Sequence, residues 1–149
     1  MDYRRLGRSG LQVSSLALGT MNFGNPTELD QACRMVDAAI DGGINLFDCA
    51  DIYNEGQAEQ MLGEAFKRNG RRGLVHLTSK CYNRMGPGPN DQGNTRHHIL
   101  AACEHSLKRL RTDYIDIYFL HRTDFSVPQE ESLAALDQLQ REGKIRYIA

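Results

Sequence analysis

Apolar, strand-like runs recur along this chain at nearly even intervals, each followed by a helix-like segment. That alternation limits the fold more than any other feature. Strand ends fall at Gly19, Asp48, Lys80, His121 and Ala149, roughly 30 residues apart except for one interval of about 40. The long interval contains a Gly/Pro/Asn-rich loop, Asn83 to Asn94. Short strands buried on both faces and separated by helices are parallel βα units. A small hairpin is expected first, over Tyr3 to Val13, with Gly7, Ser9 and Gly10 in its turn. Leu16 to Gly19, Ile44 to Asp48, Val75 to Lys80, Tyr114 to His121 and Lys144 to Ala149 then read as five strands.

The helices follow from apolar residues three and four apart. The first, about Glu28 to Asp41, places Leu29, Ala32, Cys33, Val36, Ala39 and Ile40 on one face. Thr27 with Asp30 is its expected capping pair, and Gly42-Gly43 its stop. The second, about Gln57 to Lys67, turns Ala58, Met61, Leu62, Ala65 and Phe66 inward. Thr95 is the expected cap of a third, which buries Ile99, Leu100, Cys103 and Leu107. Ser126 and Gln129 are expected to cap a fourth, with Leu133, Leu136 and Leu139 inward and Gly143 beyond its end.

Two α/β architectures fit: an open doubly wound sheet, or half of a (β/α)8 barrel. No G-x-G-x-x-G follows the first strand, so the usual dinucleotide fingerprint of the doubly wound fold is missing. Thr20, Asp48, Lys80 and His121 sit at successive strand ends, the rim on which barrels carry their chemistry. The expectation is therefore a TIM-barrel-family fold, with 1–149 forming one partial domain. It would hold the amino-terminal hairpin, about four βα units and the fifth strand. At 149 residues the chain is short of the roughly 250 that close such a barrel. Two open sheet edges predict that these residues alone are poorly soluble, self-associate, or are part of something longer.

A net charge of -1 offers no case for nucleic acid or an acidic membrane surface as partner. No apolar run reaches the roughly 20 residues that cross a bilayer, and no signal-peptide pattern opens the chain, so a cytoplasmic location is expected. Cys33, Cys49, Cys81 and Cys103 are widely spaced without a C-x-x-C pair, as in a reduced protein without a zinc site. His97-His98 is not a metal pair either. Adjacent helical residues diverge by about 100°, and both read as surface or first-turn residues. The long loop reads as a lid or substrate wall, or as a plain linker over the rim.

Asp48, Lys80 and His121 end three strands, and Tyr53 lies in the loop after Asp48. One by one they read as a loop cap, a surface charge, a structural histidine and a packed phenol. Together they place a carboxylate, an amine, an imidazole and a phenol on one rim. An ammonium beside a phenol favours phenolate and so makes the hydroxyl a better acid, and a carboxylate keeps that ammonium charged and oriented. An imidazole can hydrogen-bond a substrate oxygen. None of the four supplies hydride, so a cofactor must.

The segments LGTMNFG, GINLFDCADIYNEGQAEQMLG, LTSK, SLKRLRTDYIDIYFLHRTD and GKIRYIA, in this order, resemble the aldo-keto reductases over essentially the whole chain. The resemblance implies a (β/α)8 barrel that binds NADP(H) and reduces a small aldehyde or ketone. It makes Asp48, Tyr53, Lys80 and His121 the catalytic four. It places Gly19, Thr20, Met21 and Asp48 beside the nicotinamide ribose and the site floor. Potassium-channel β subunits, regulatory NADP(H)-binding members of the same family, supply the alternative. Two positions depart from the pattern: Asn54 stands where Gly usually follows the tyrosine, and Ala58 where G-x-S-E carries Ser. The family's carboxamide-binding Ser-Asn pair, ring-stacking aromatic and 2′-phosphate loop belong to later strands. The 149 residues alone are therefore expected to bind NADPH weakly and to lack measurable turnover.

Overall fold

The computed structural model describes residues 1–149. Strands β1 (Tyr3–Arg5) and β2 (Gln12–Ser14) form the antiparallel hairpin. Five further strands follow: β3 (Ala17–Gly19), β4 (Leu46–Asp48), β5 (His76–Cys81), β6 (Ile115–Leu120) and β7 (Ile145–Ile148). They make one parallel sheet in chain order, β3-β4-β5-β6-β7. A doubly wound sheet reverses its strand order at a switch point, whereas a barrel adds each strand beside the last. The sequential order is the barrel's.

Helices α1 (Leu29–Asp41), α2 (Gln57–Asn69), α3 (Arg96–Leu110) and α4 (Gln129–Arg141) connect the strands, and each packs against the next. Their inward stripes meet Phe47, Leu77, Cys81, Tyr118 and Ile145 from the sheet in a single core. Val36, Leu62, Ile99 and Leu136 are fully buried there, as 3.6-residue periodicity requires. At the amino-terminal end of the sheet, buried Asp116 accepts from Arg72 at 2.8 Å, Arg146 at 3.1 Å and the Leu77 amide at 3.0 Å. That network ties the strand starts together, opposite the rim that carries Asp48, Lys80 and His121.

Several expected details differ. Helix α1 begins after Glu28 without a side-chain cap, because Thr27 is held in the preceding loop by backbone bonds to Asn22 and Gly24. Helix α4 begins after Pro128, also uncapped. The amide and hydroxyl of Ser126 are both spent on Asp124 Oδ1, and Glu130 and Glu131 favour the helix start through its dipole instead. Leu133 is 54% exposed, not inward: it lines a groove at the β7 edge of the sheet with Val127 and Ile148. His97 and His98 both lie in the first turn of α3, as expected, but only His97 is exposed; His98 is buried. Thr95 does cap α3, its Oγ1 accepting the His98 amide at 3.2 Å.

Candidate active site

Backbone hydrogen bonds join the strand ends into a rim. The Thr20 amide and hydroxyl donate to Asp48 O at 3.0 and 2.9 Å, the Asp51 amide to Lys80 O at 3.1 Å, and the His121 amide to Cys81 O at 2.9 Å. Thr20 is fully buried, so its part at the rim is to lock β3 to β4. Gly19 and Met21 on either side of it are exposed, Met21 by 63%.

Lys80 is the hub. Its side chain is 12% exposed, and Nζ lies 2.8 and 2.9 Å from the two oxygens of Asp48. The same nitrogen donates to Cys49 O at 2.7 Å and to Tyr53 Oη at 3.2 Å. A lysine ammonium has three N–H donors, and this one spends them on a carboxylate, a carbonyl and a phenol. Asp48 is fixed in turn by the Thr78 hydroxyl, 2.8 Å from Oδ1. Register makes this possible. Asp48 pairs with Thr78, so Lys80, two residues further along β5, projects from the same face of the sheet.

Tyr53 opens a tight turn, residues 53–56, in which Asn54 and Glu55 both have positive φ. Asn tolerates that region better than most residues, which accounts for its standing where glycine was expected. Its amide also donates to Met21 O at 2.9 Å and Phe23 O at 2.8 Å, tying the tyrosine turn to the loop after β3. His121 meets the Tyr53 ring edge-on, with ring centres 6.2 Å apart. Its pKa is pushed down, first by burial and then by Lys80 and Arg122, which keeps the imidazole neutral near pH 7. Asn83 Nδ2 lies 3.3 Å from His121 Nδ1. An amide nitrogen can only donate, so this contact assigns Nδ1 as acceptor and leaves the ring proton on Nε2.

All four expected catalytic side chains thus stand on one rim, with Asp48, Lys80 and Tyr53 in direct contact through one nitrogen. Thr78, Asn83 and Asn54 were not singled out for these roles in the sequence. Thr78 had a signal available, since it lies two residues before Lys80 on the same strand. Asn83 gave none.

A sequential parallel sheet with an Asp-Lys-Tyr cluster and a neutral histidine gathered at its carboxyl-terminal rim places the chain in the (β/α)-barrel class. The chain belongs to the aldo/keto reductase family, whose family model matches residues 15–149. It is 40% identical over 149 residues to a probable voltage-gated potassium channel subunit beta of Arabidopsis thaliana, covering 99% of this chain and 45% of that protein. It is 43% identical over 157 residues to the uncharacterized oxidoreductase YrpG of Bacillus subtilis, with 99% and 48% covered. Among solved structures it superposes on the holo form of an aldo-keto reductase from Bacillus halodurans with a TM-score of 0.89 at 41% identity. That match covers 99% of this chain and 49% of that one. The expected barrel-family fold is thereby established. The chain spans about half the length of these relatives.

Proposed function

We propose that the protein is an NADP(H)-dependent oxidoreductase that reduces an aldehyde or ketone, with Tyr53 as general acid. The observation that carries this reading is Lys80 Nζ, held by Asp48 and Cys49 O and donating to Tyr53 Oη. Because Lys80 donates to the phenol oxygen, the hydroxyl hydrogen is free to point at a carbonyl oxygen. The ammonium stabilises the negative charge that builds on Oη as the proton leaves. Asp48 keeps Lys80 in place. His121, with its proton on Nε2, donates a second hydrogen bond and orients the carbonyl.

The site residues fit a nicotinamide cofactor. They bind and transfer protons but have no redox group of their own, and they lie beside an exposed strand end at Gly19 where even a side chain would meet no atom within 4 Å. Gly19, Met21 and Asp48 would lie along it, with Thr20 bracing them. When bound it supplies the hydride. In the complete-length protein, Tyr53→Phe removes the acid and leaves the packing, so turnover should fall by roughly 10²–10⁴ with cofactor affinity little changed. Unaltered turnover would sink the assignment.

The likeness to channel β subunits favours a second reading, a cofactor-binding regulatory partner of a membrane channel. Co-purification with a stoichiometric channel protein, combined with turnover indifferent to Tyr53→Phe, would select it.

A further inference from the structure

Beneath the loop that follows β5 lies a cavity of about 120 Å³, walled in part by Asp51, Met85, Asp91, His98, Ala102 and His105. Asp51 is fully buried, and its carboxylate makes no well-formed hydrogen bond to a protein donor, the Ile52 amide being the one backbone group that acts on it. His98 is 4% exposed, and its Nε2 is likewise without a protein partner. Buried polar atoms are nearly always hydrogen-bonded, and a buried charge without a partner is strongly disfavoured. Two such groups on one cavity wall define a polar site.

Charge accounting gives its sign. Two cations act on Asp51 through space, and neither donates a hydrogen bond to it. Arg109 Nε is spent on Glu59 Oε2 at 2.6 Å, and Glu59 is itself fully buried. Lys80 has its donors on Asp48, Cys49 O and Tyr53. Asp91 adds another carboxylate to the lining, with Oδ2 accepting the Gly88 amide at 2.7 Å. His97 and His105 are near neighbours of His98, whose pKa is pushed down chiefly by burial. The cavity therefore offers an uncompensated carboxylate and a neutral imidazole. In the tautomer with its proton on Nδ1, His98 presents Nε2 as an acceptor. Both groups then call for a donor, and the Asp51 carboxylate calls for a cation.

We propose that this cavity binds an ammonium-type cation, free ammonium or the head of a primary amine, which donates to the Asp51 carboxylate and to His98 Nε2. A volume of about 120 Å³ leaves room for such a cation together with bridging water. A divalent metal is a poorer match, because no three His, Cys, Asp or Glu side chains gather to hold one. Asp51 lies two residues before Tyr53 and its amide is bonded to Lys80 O, so an occupant here steadies the turn that carries the tyrosine.

The test is thermal unfolding of the whole protein at about pH 7.5, with tetramethylammonium chloride replaced stepwise by ammonium or methylammonium chloride at constant ionic strength. A ligand that binds only the folded state raises Tm saturably. Such a rise is expected in the wild type and not in Asp51→Asn. His98→Leu should shift the midpoint concentration upward by at least about tenfold. Burial, and next Glu59, push the Asp51 carboxyl up to about 7, so a proton competes with the cation and the rise should vanish near pH 5.5. That last arm needs no substitution and decides the matter even if a variant does not fold. A rise with ammonium alone identifies the free ion, and a rise with both salts identifies the amine head. No rise with either salt, or the same rise in Asp51→Asn or near pH 5.5, would overturn the proposal, leaving water as the occupant.

Discussion

Replacing Asp51 by Asn isolates what the protein loses by burying a carboxylate. In an unfolded chain an Asp titrates near 3.9. In the fold, burial first and Glu59 second push Asp51 up to about 7. Between those two pH values the folded state keeps a proton that the unfolded chain has released. Stability therefore falls as pH rises from about 4 to about 7 and is level above that. At 1.36 kcal/mol per unit, a difference of three units is about 4 kcal/mol, and water penetration and relaxation reduce the expectation to about 2–4 kcal/mol. The amide has no charge to bury. The variant's unfolding free energy minus that of the wild type should climb by that amount between about pH 4.5 and pH 7.5. The assay is urea unfolding followed by far-ultraviolet circular dichroism, with tetramethylammonium as the only added cation. A difference that stays flat, or that falls with pH, would refute the reasoning.

Arg109→Leu leaves Glu59, fully buried, with only the Ser79 hydroxyl at 2.6 Å as a partner; it should cost about 3–5 kcal/mol in the same urea assay. Gly63→Ala would bring a methyl carbon to 2.6 Å from Arg109 O and 2.7 Å from Leu110 O, backbone atoms at the end of α3. The two helices must separate, at about 1–3 kcal/mol, read as a lowered Tm. Thr95→Ala removes the one side-chain cap observed on a helix and should cost about 1 kcal/mol, with amide exchange accelerated first at His98.

Much of the site was legible because barrel geometry converts sequence position into place. A polar residue that ends an apolar strand projects at the rim whatever its helices do, which is why Asp48, Lys80 and His121 could be gathered before any distance was known. Tyr53 followed from its spacing after Asp48. The cap at Thr95 was legible because capping is local, decided within four residues. The caps assigned to Thr27 and Ser126 failed for a reason just as local. Backbone bonds to Asn22 and Gly24 hold Thr27 in the preceding loop, and the Ser126 hydroxyl is spent on Asp124.

Partners distant in sequence are another matter. Asn83 orients His121 across 38 residues, Asn54 reaches Met21 across 33, and Arg109 reaches Glu59 across 50. None of these pairs has a periodicity or motif to announce it, because each depends on how neighbouring βα units lie against one another. His98 and Leu133 show the same limit from the side of burial. Helical phase says which face a residue is on, but whether that face is covered depends on what packs there. The loop after β5 and the turn at Asp51 cover His98, while the open side of β7 leaves Leu133 half in solvent.

The sequence by itself determined the parallel βα alternation, the strand ends and the four side chains they carry, since each rests on local pattern and a repeating period. The tertiary structure alone decided that the strands add in chain order, that Lys80 Nζ reaches Asp48 and Tyr53 together, and that the Asp51 carboxylate is buried without a well-formed hydrogen bond. Those facts depend on sheet register and on the packing of side chains far apart in the chain, and such contacts exist only once the helices have closed over the sheet.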